Sequence, residues 1–149
     1  MNNLYDAPVY QEIKERFERL TSSNQRLWGK MDVAQMLAHC KEAFKVPLST
    51  APMKRAFIGY LFGALVKKQL YSDKPWKKNL PTAPNFKIKD ERNFEAERKE
   101  LMQLVEQFYT LGPDKTGRYP HPFFGTLTKE QWGRGMYKHL DHHLQQFGV

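Results

Sequence analysis

Three of the five histidines of this chain stand within five residues of one another, His139, His142 and His143 in YKHLDHHLQQFGV. Imidazole is a ligand for zinc, nickel, iron and copper, and two histidines four apart on one helical face can reach a single ion. Each residue of a helix advances about 100° around the axis, so with Trp132 at zero His139 falls near about 340° and His143 near about 20°. Met136, Leu140 and Phe147 share that sector, at about 40°, 80° and 60°. His139 and His143 therefore lie inside the apolar stripe, whereas His142, at about 280°, flanks it.

A fourth histidine joins them by the same construction. With Asp32 at zero, His39 falls near about 340°, beside Met36 at about 40° and Ala43 at about 20°. Three inward imidazoles need partners, because an unpaired buried polar group is costly. Either a divalent metal at His39, His139 and His143 satisfies them, or they form a hydrogen-bonded core cluster. Three protein ligands would leave a position open for water or substrate, as in catalytic rather than structural zinc sites. Leu140 stands where a zincin motif places its general-base glutamate, so the pair is not that site.

Other residues near these motifs have two readings each. Glu42 could orient a ligand or accept a proton, against the default of an exposed helix carboxylate. His121, in PHPFF, lines the pocket mouth or is a loop residue held by packing. Trp132 is a substrate platform or, as is commoner, plain core. Cys40 reads as a small buried hydrophobe rather than a ligand or reactive thiol. Lys138 and Asp141 read as solvated.

The elements that must position these side chains are helices. PVYQEIKERFERL, Pro8 to Leu20, carries Val9, Ile13, Phe17 and Leu20 at helical spacing. Asp32 and Gln35 have capping-box spacing for a second helix to about Phe44, and Thr128 and Gln131 repeat it for the last, ending near Gly148. A third helix is expected from about Met53 to Leu70 and a fourth from about Phe94 to Tyr109. Between these two runs a long Pro-, Lys- and Asn-rich connection, of the kind that is often functional. Gly133 and Gly135 inside the last helix cost roughly 1 kcal/mol each against Ala, and their use is close approach of a neighbour. The pattern is that of an all-α bundle.

The 149 residues suit one domain, 1–149, large enough to fold without a structural metal. One cysteine allows no internal disulfide, and MNNLYDAPVY lacks the basic start and apolar run of a secretory signal, so a cytoplasmic location is expected. AFIGYLFGALV, Ala56 to Val66, is about half the length of a membrane span and reads as a buried helix. The net charge is +8, and ten Lys/Arg against three Asp/Glu between Lys54 and Arg92 place +7 of it in one region. That region could attract anionic substrates, phosphates or an acidic membrane surface. A solvated basic face is the commoner reading, and no recognised nucleic-acid module accompanies it.

Two stretches, GKMDVAQMLAHC and HLDHH, resemble the DinB/YfiT-like metalloenzyme superfamily, and HPFFGTLTKEQWG with DKPWKKNLPTAP resembles an uncharacterised branch of it. The resemblance implies a DinB-like four-helix bundle with a three-histidine site whose ligands fall on His39, His139 and His143. It further implies a divalent metal, zinc (Zn) or nickel (Ni), a small-molecule substrate and often a homodimer. Some relatives are thiol-dependent S-transferases or isomerases, which would add a low-molecular-weight thiol cosubstrate, and others are hydrolases. Here His143 is followed by LQQ where many members have Arg-Gly-Gln, so no specific substrate carries over. The competing class is a non-catalytic module that binds a metal, a small ligand or an anionic partner.

Overall fold

The computed structural model describes residues 2–72 and 74–149, apart from the side chains at 58, 60, 62, 65, 69, 70 and 85. It is all-α. In chain order come α1 (Ala7–Arg19), α2 (Val33–Lys45), α3 (Phe57–Leu70), one 3₁₀ turn (Pro84–Phe86), α4 (Phe94–Lys115) and α5 (Lys129–Gln146), with no strand among the described residues.

The two expected capping boxes are both formed. The Asp32 side chain accepts from the Gln35 backbone N–H while the Gln35 side chain accepts from that of Asp32, and Thr128 and Gln131 repeat the exchange. Each box satisfies two of the backbone donors that a helix start leaves free. It also fixes the phase of α2 and α5, and hence the direction in which His39, His139 and His143 point.

Helices α1, α2, α4 and α5 pack on one another around Ile13, Phe17, Met36, Leu37, Phe44, Leu101, Val105, Phe108, Leu140 and Leu144. The α2–α4 contact also holds a buried ammonium: Lys41 Nζ lies 2.5 Å from Glu97 and 2.7 Å from Glu100. Gly133 and Gly135 serve the close approach expected of them. A Cβ at Gly133 would collide with Asn3 Oδ1, and one at Gly135 would meet the Tyr71 ring at 2.7 Å.

Three expectations need correction. Helix α3 starts at Phe57, not near Met53, because the Ala56 N–H is spent on the Pro122 carbonyl at 2.9 Å. Helix α3 is also not buried all round: Phe57 and Leu61 are 79% and 64% exposed, while Ile58, Tyr60, Phe62 and Leu65 have side chains outside the described residues. Helix α4 continues past Tyr109 to Lys115 through a kink at Gly112, φ 68°, where Pro113 opens a further helical turn.

Among the described residues helix α3 packs less closely on the other four than they do on one another. It meets the body at the turn of HPFFG, where Gly59 and Gly63 abut the Phe123 carbonyl, so that a Cβ at either would lie 2.5 Å from that oxygen. Lys67 Nζ donates to the Thr126 carbonyl at 2.6 Å.

Candidate metal centre

Helices α2 and α5 touch where their histidines face. His39 Nε2 and His139 Nε2 are 2.9 Å apart, and the ring of His143 is centred 4.8 Å from that of His39 and 4.9 Å from that of His139. One nitrogen from each of the three residues falls within 4.8 Å of the others. Zinc–imidazole bonds are about 2.0–2.1 Å long, so this is a cluster that could hold one metal ion after small ring rotations. His39 and His143 are buried and His139 is half-buried.

The outer nitrogens of two rings are already committed. His39 Nδ1 lies 2.8 Å from the Phe86 carbonyl, which can only accept, so the proton is on Nδ1 and Nε2 presents its lone pair to the cluster. His143 Nδ1 lies 2.8 Å from Gln146 Oε1, and the Gln146 amide donates in turn to the Trp28 carbonyl at 2.7 Å. Such hydrogen bonds fix the tautomer and ring orientation of metal-binding histidines. Gly29 makes room for the second relay. Its φ is +82°, and a Cβ there would stand 2.5 Å from the Gln146 amide nitrogen.

The long connection between α3 and α4 forms one wall of the site. Phe86, at its 3₁₀ turn, supplies the carbonyl that holds His39. Trp76 lies with its ring 5.8 Å from both His139 and His142, and Trp28 contacts His142 edge-on at 5.7 Å. His142 is thus a flanking group between two indoles rather than part of the trio. Lys78 Nζ stands 4.5 Å above the Trp28 ring. Lys138 was expected in solvent; instead it is buried and its ammonium donates to the Ser72 and Lys74 carbonyls, tying the connection to α5.

All four imidazoles of this region are held neutral. Burial, reinforced by the neighbouring His39, lowers His143 to about 3. Burial also lowers His39 and His142, and His139 is pushed well below the ordinary value, first by burial and then by His143 and His39. A cation is costly in a desolvated site. Neutral imidazole is the form that binds a metal.

The other candidates lie elsewhere. Glu42 pairs with Lys45 at 2.5 Å; the partners actually placed on the ligand rings are the Phe86 carbonyl and Gln146. His121 organises the HPFFG turn: its Nδ1 accepts from the Phe123 and Phe124 N–H groups at 3.0 and 3.2 Å, and burial lowers it to about 4. Its ring packs on Trp132, which is core at 3% exposure and closely abutted by Gly117. Cys40 is fully buried and its thiol is pushed far up by desolvation, as a core residue. Asp141 was also expected to be solvated, but it pairs with Arg16 at 2.8 Å. Sequence reasoning missed Gln146, Trp28 and Trp76. Gln146 had a usable signal, one helical turn after His143, while the two tryptophans reach the site from loops that carry no periodicity.

Fold and site together define an all-α protein with a three-histidine cluster between two capped helices. The family described as "Protein of unknown function (DUF1569)" matches residues 6–148, and the chain belongs to it. Comparison with curated proteins and with solved structures finds no match.

Proposed function

We propose that His39, His139 and His143 hold a divalent ion, zinc or nickel, and that the chain is a metal-dependent enzyme of the DinB/YfiT-like kind acting on a small molecule. In this reading α1, α2, α4 and α5 are the four-helix bundle of that superfamily. The observation that carries it is the pairing of convergence with orientation. Three neutral imidazoles meet at one point, and two of them have their outer nitrogens tied to oxygen acceptors that aim the inner nitrogens at it.

A bound ion supplies Lewis acidity, lowering the pKa of a coordinated water or thiol. The chain's own residues do the rest. Phe86 and Gln146 hold the ring orientations, Trp76 on the α3–α4 connection lies against His139, and His142 offers a neutral imidazole beside the trio. The groups fixing the ligand rings are a carbonyl and a carboxamide, neither of which can take a substrate proton. Thiol-dependent S-transfer, in which a bound ion would favour the thiolate, asks no further base of the protein, whereas hydrolysis would draw on His142 to accept the proton of water.

Elemental analysis of untagged protein after reconstitution with zinc or nickel tests the reading. The wild type should retain close to one equivalent, and His39→Ala or His139→Ala under roughly a tenth of that, since each removes one of three ligands. A wild type that stays near zero would leave the 2.9 Å contact of His39 and His139 as an imidazole–imidazole hydrogen bond in a metal-free binding module. Thiol–acceptor pairs against esters and amides, with and without chelator, separate transferase from hydrolase.

A further inference from the structure

The segment from Ser49 to Lys89 carries nine Lys/Arg and one Asp. Its net of +8 equals that of the whole chain, since the remaining residues hold fifteen cations and fifteen anions. The same segment contains α3, whose described contacts with the body lie at Gly59, Gly63 and Lys67. On a helical wheel with Phe57 at zero, Leu61 falls at about 40°, Ala64 at about 340° and Lys68 at about 20°. All four are exposed. Gly59 and Gly63, at about 200° and 240°, are the face turned to the body. Met53 (42% exposed) and Lys54 precede the helix on the surface.

We propose that this face of α3 docks on an anionic lipid surface, with Phe57, Leu61 and Met53 entering the headgroup boundary and Lys54, Lys68 and the lysines of the following connection meeting the lipid charge. Interfacial helices combine an apolar stripe with lysine and arginine in this way, and each basic residue near such a surface adds to the attraction. A spanning role is excluded by length: the 14 residues of α3 extend about 21 Å against the roughly 30 Å of a hydrocarbon core. Two other occupants fit less well. A second copy of the chain would bring two +8 segments together, and nucleic acid would leave Phe57 and Leu61 with nothing apolar to cover them. The proposal is independent of the histidine cluster.

Co-sedimentation of the full chain with vesicles tests it, comparing phosphatidylglycerol–phosphatidylcholine mixtures with pure phosphatidylcholine at low salt and at high salt. Binding should be at least about tenfold tighter to the anionic vesicles and weaken as salt rises. The double variant Phe57→Ser/Leu61→Ser should lose at least about tenfold in vesicle affinity while keeping the wild-type circular dichroism and melting curve. Lys14→Ala/Lys99→Ala, which removes two cations outside the segment, should bind as the wild type does. Three results overturn the proposal: no binding of the wild type to anionic vesicles, undiminished binding by the double variant, or a wild-type dimer that the double variant converts to monomer without vesicle binding. Duplex DNA binding in place of vesicle binding would count the same way.

Discussion

The histidine cluster and helix α3 depart from ordinary burial in opposite senses. In the first, polar rings are inside; in the second, Phe57 and Leu61 are outside. A buried polar group and a contiguous exposed apolar patch are the informative departures, whereas a single exposed apolar side chain is normal on any surface. The comparison also shows how each is maintained. The imidazoles are compensated by a carbonyl, a carboxamide and one another, whereas nothing within the described residues covers the α3 stripe. One region is internally completed apart from its central point, and the other awaits completion from outside.

That contrast can be broken at either end. The largest effect is expected at the relay that supports His143: Gln146→Leu removes the acceptor for Nδ1 and leaves the Trp28 carbonyl unpaired, so metal affinity should fall roughly 10- to 100-fold. Competition with a chelating dye measures it, and an unchanged affinity would show that the relay serves folding alone. Next is acid. His121 and His143 sit at about 4 and about 3 in the folded chain, against an ordinary value near 6.5. The unfolded chain therefore binds more protons between those values, so stability is full above about pH 6.5 and declines as pH falls toward 4 and below. Melting temperature of metal-free protein across that range should drop, and His121→Asn should flatten part of the slope. The smallest effect belongs to α3, where Phe57→Ser/Leu61→Ser should change unfolding free energy by no more than about 0.5 kcal/mol, as for other surface changes. A loss of several kcal/mol in chemical denaturation would mean that the stripe is core.

The fold was legible where local signals are strong. Asp32 with Gln35 and Thr128 with Gln131 announce their helices because the capping exchange happens within four residues. The apolar stripes of α2 and α5 likewise gave the inward direction of His39, His139 and His143. What escaped were contacts between distant parts of the chain. Phe86 reaches His39 across 47 positions and Gln146 reaches Trp28 across 118, and neither spacing has a periodicity to read. Lys138 and Asp141 were misjudged for the same reason: a charged residue on a helix flank looks solvated until a remote carbonyl or guanidinium meets it. Helix α3 was misread because its composition is apolar nearly all round, and composition does not say whether a neighbour arrives.

The relay from Trp28 through Gln146 to His143 runs in one direction only. A main-chain carbonyl cannot donate, so it obliges the carboxamide to offer its NH₂ outward and its oxygen inward, and the oxygen in turn obliges the proton to sit on His143 Nδ1. The electron pair facing the other two rings is therefore dictated by the path of the backbone at residue 28 and not by the indole attached there. Changing that side chain alters the wall of the site; it leaves the instruction about which nitrogen is bare intact, for as long as the Trp28–Gly29 turn keeps its course.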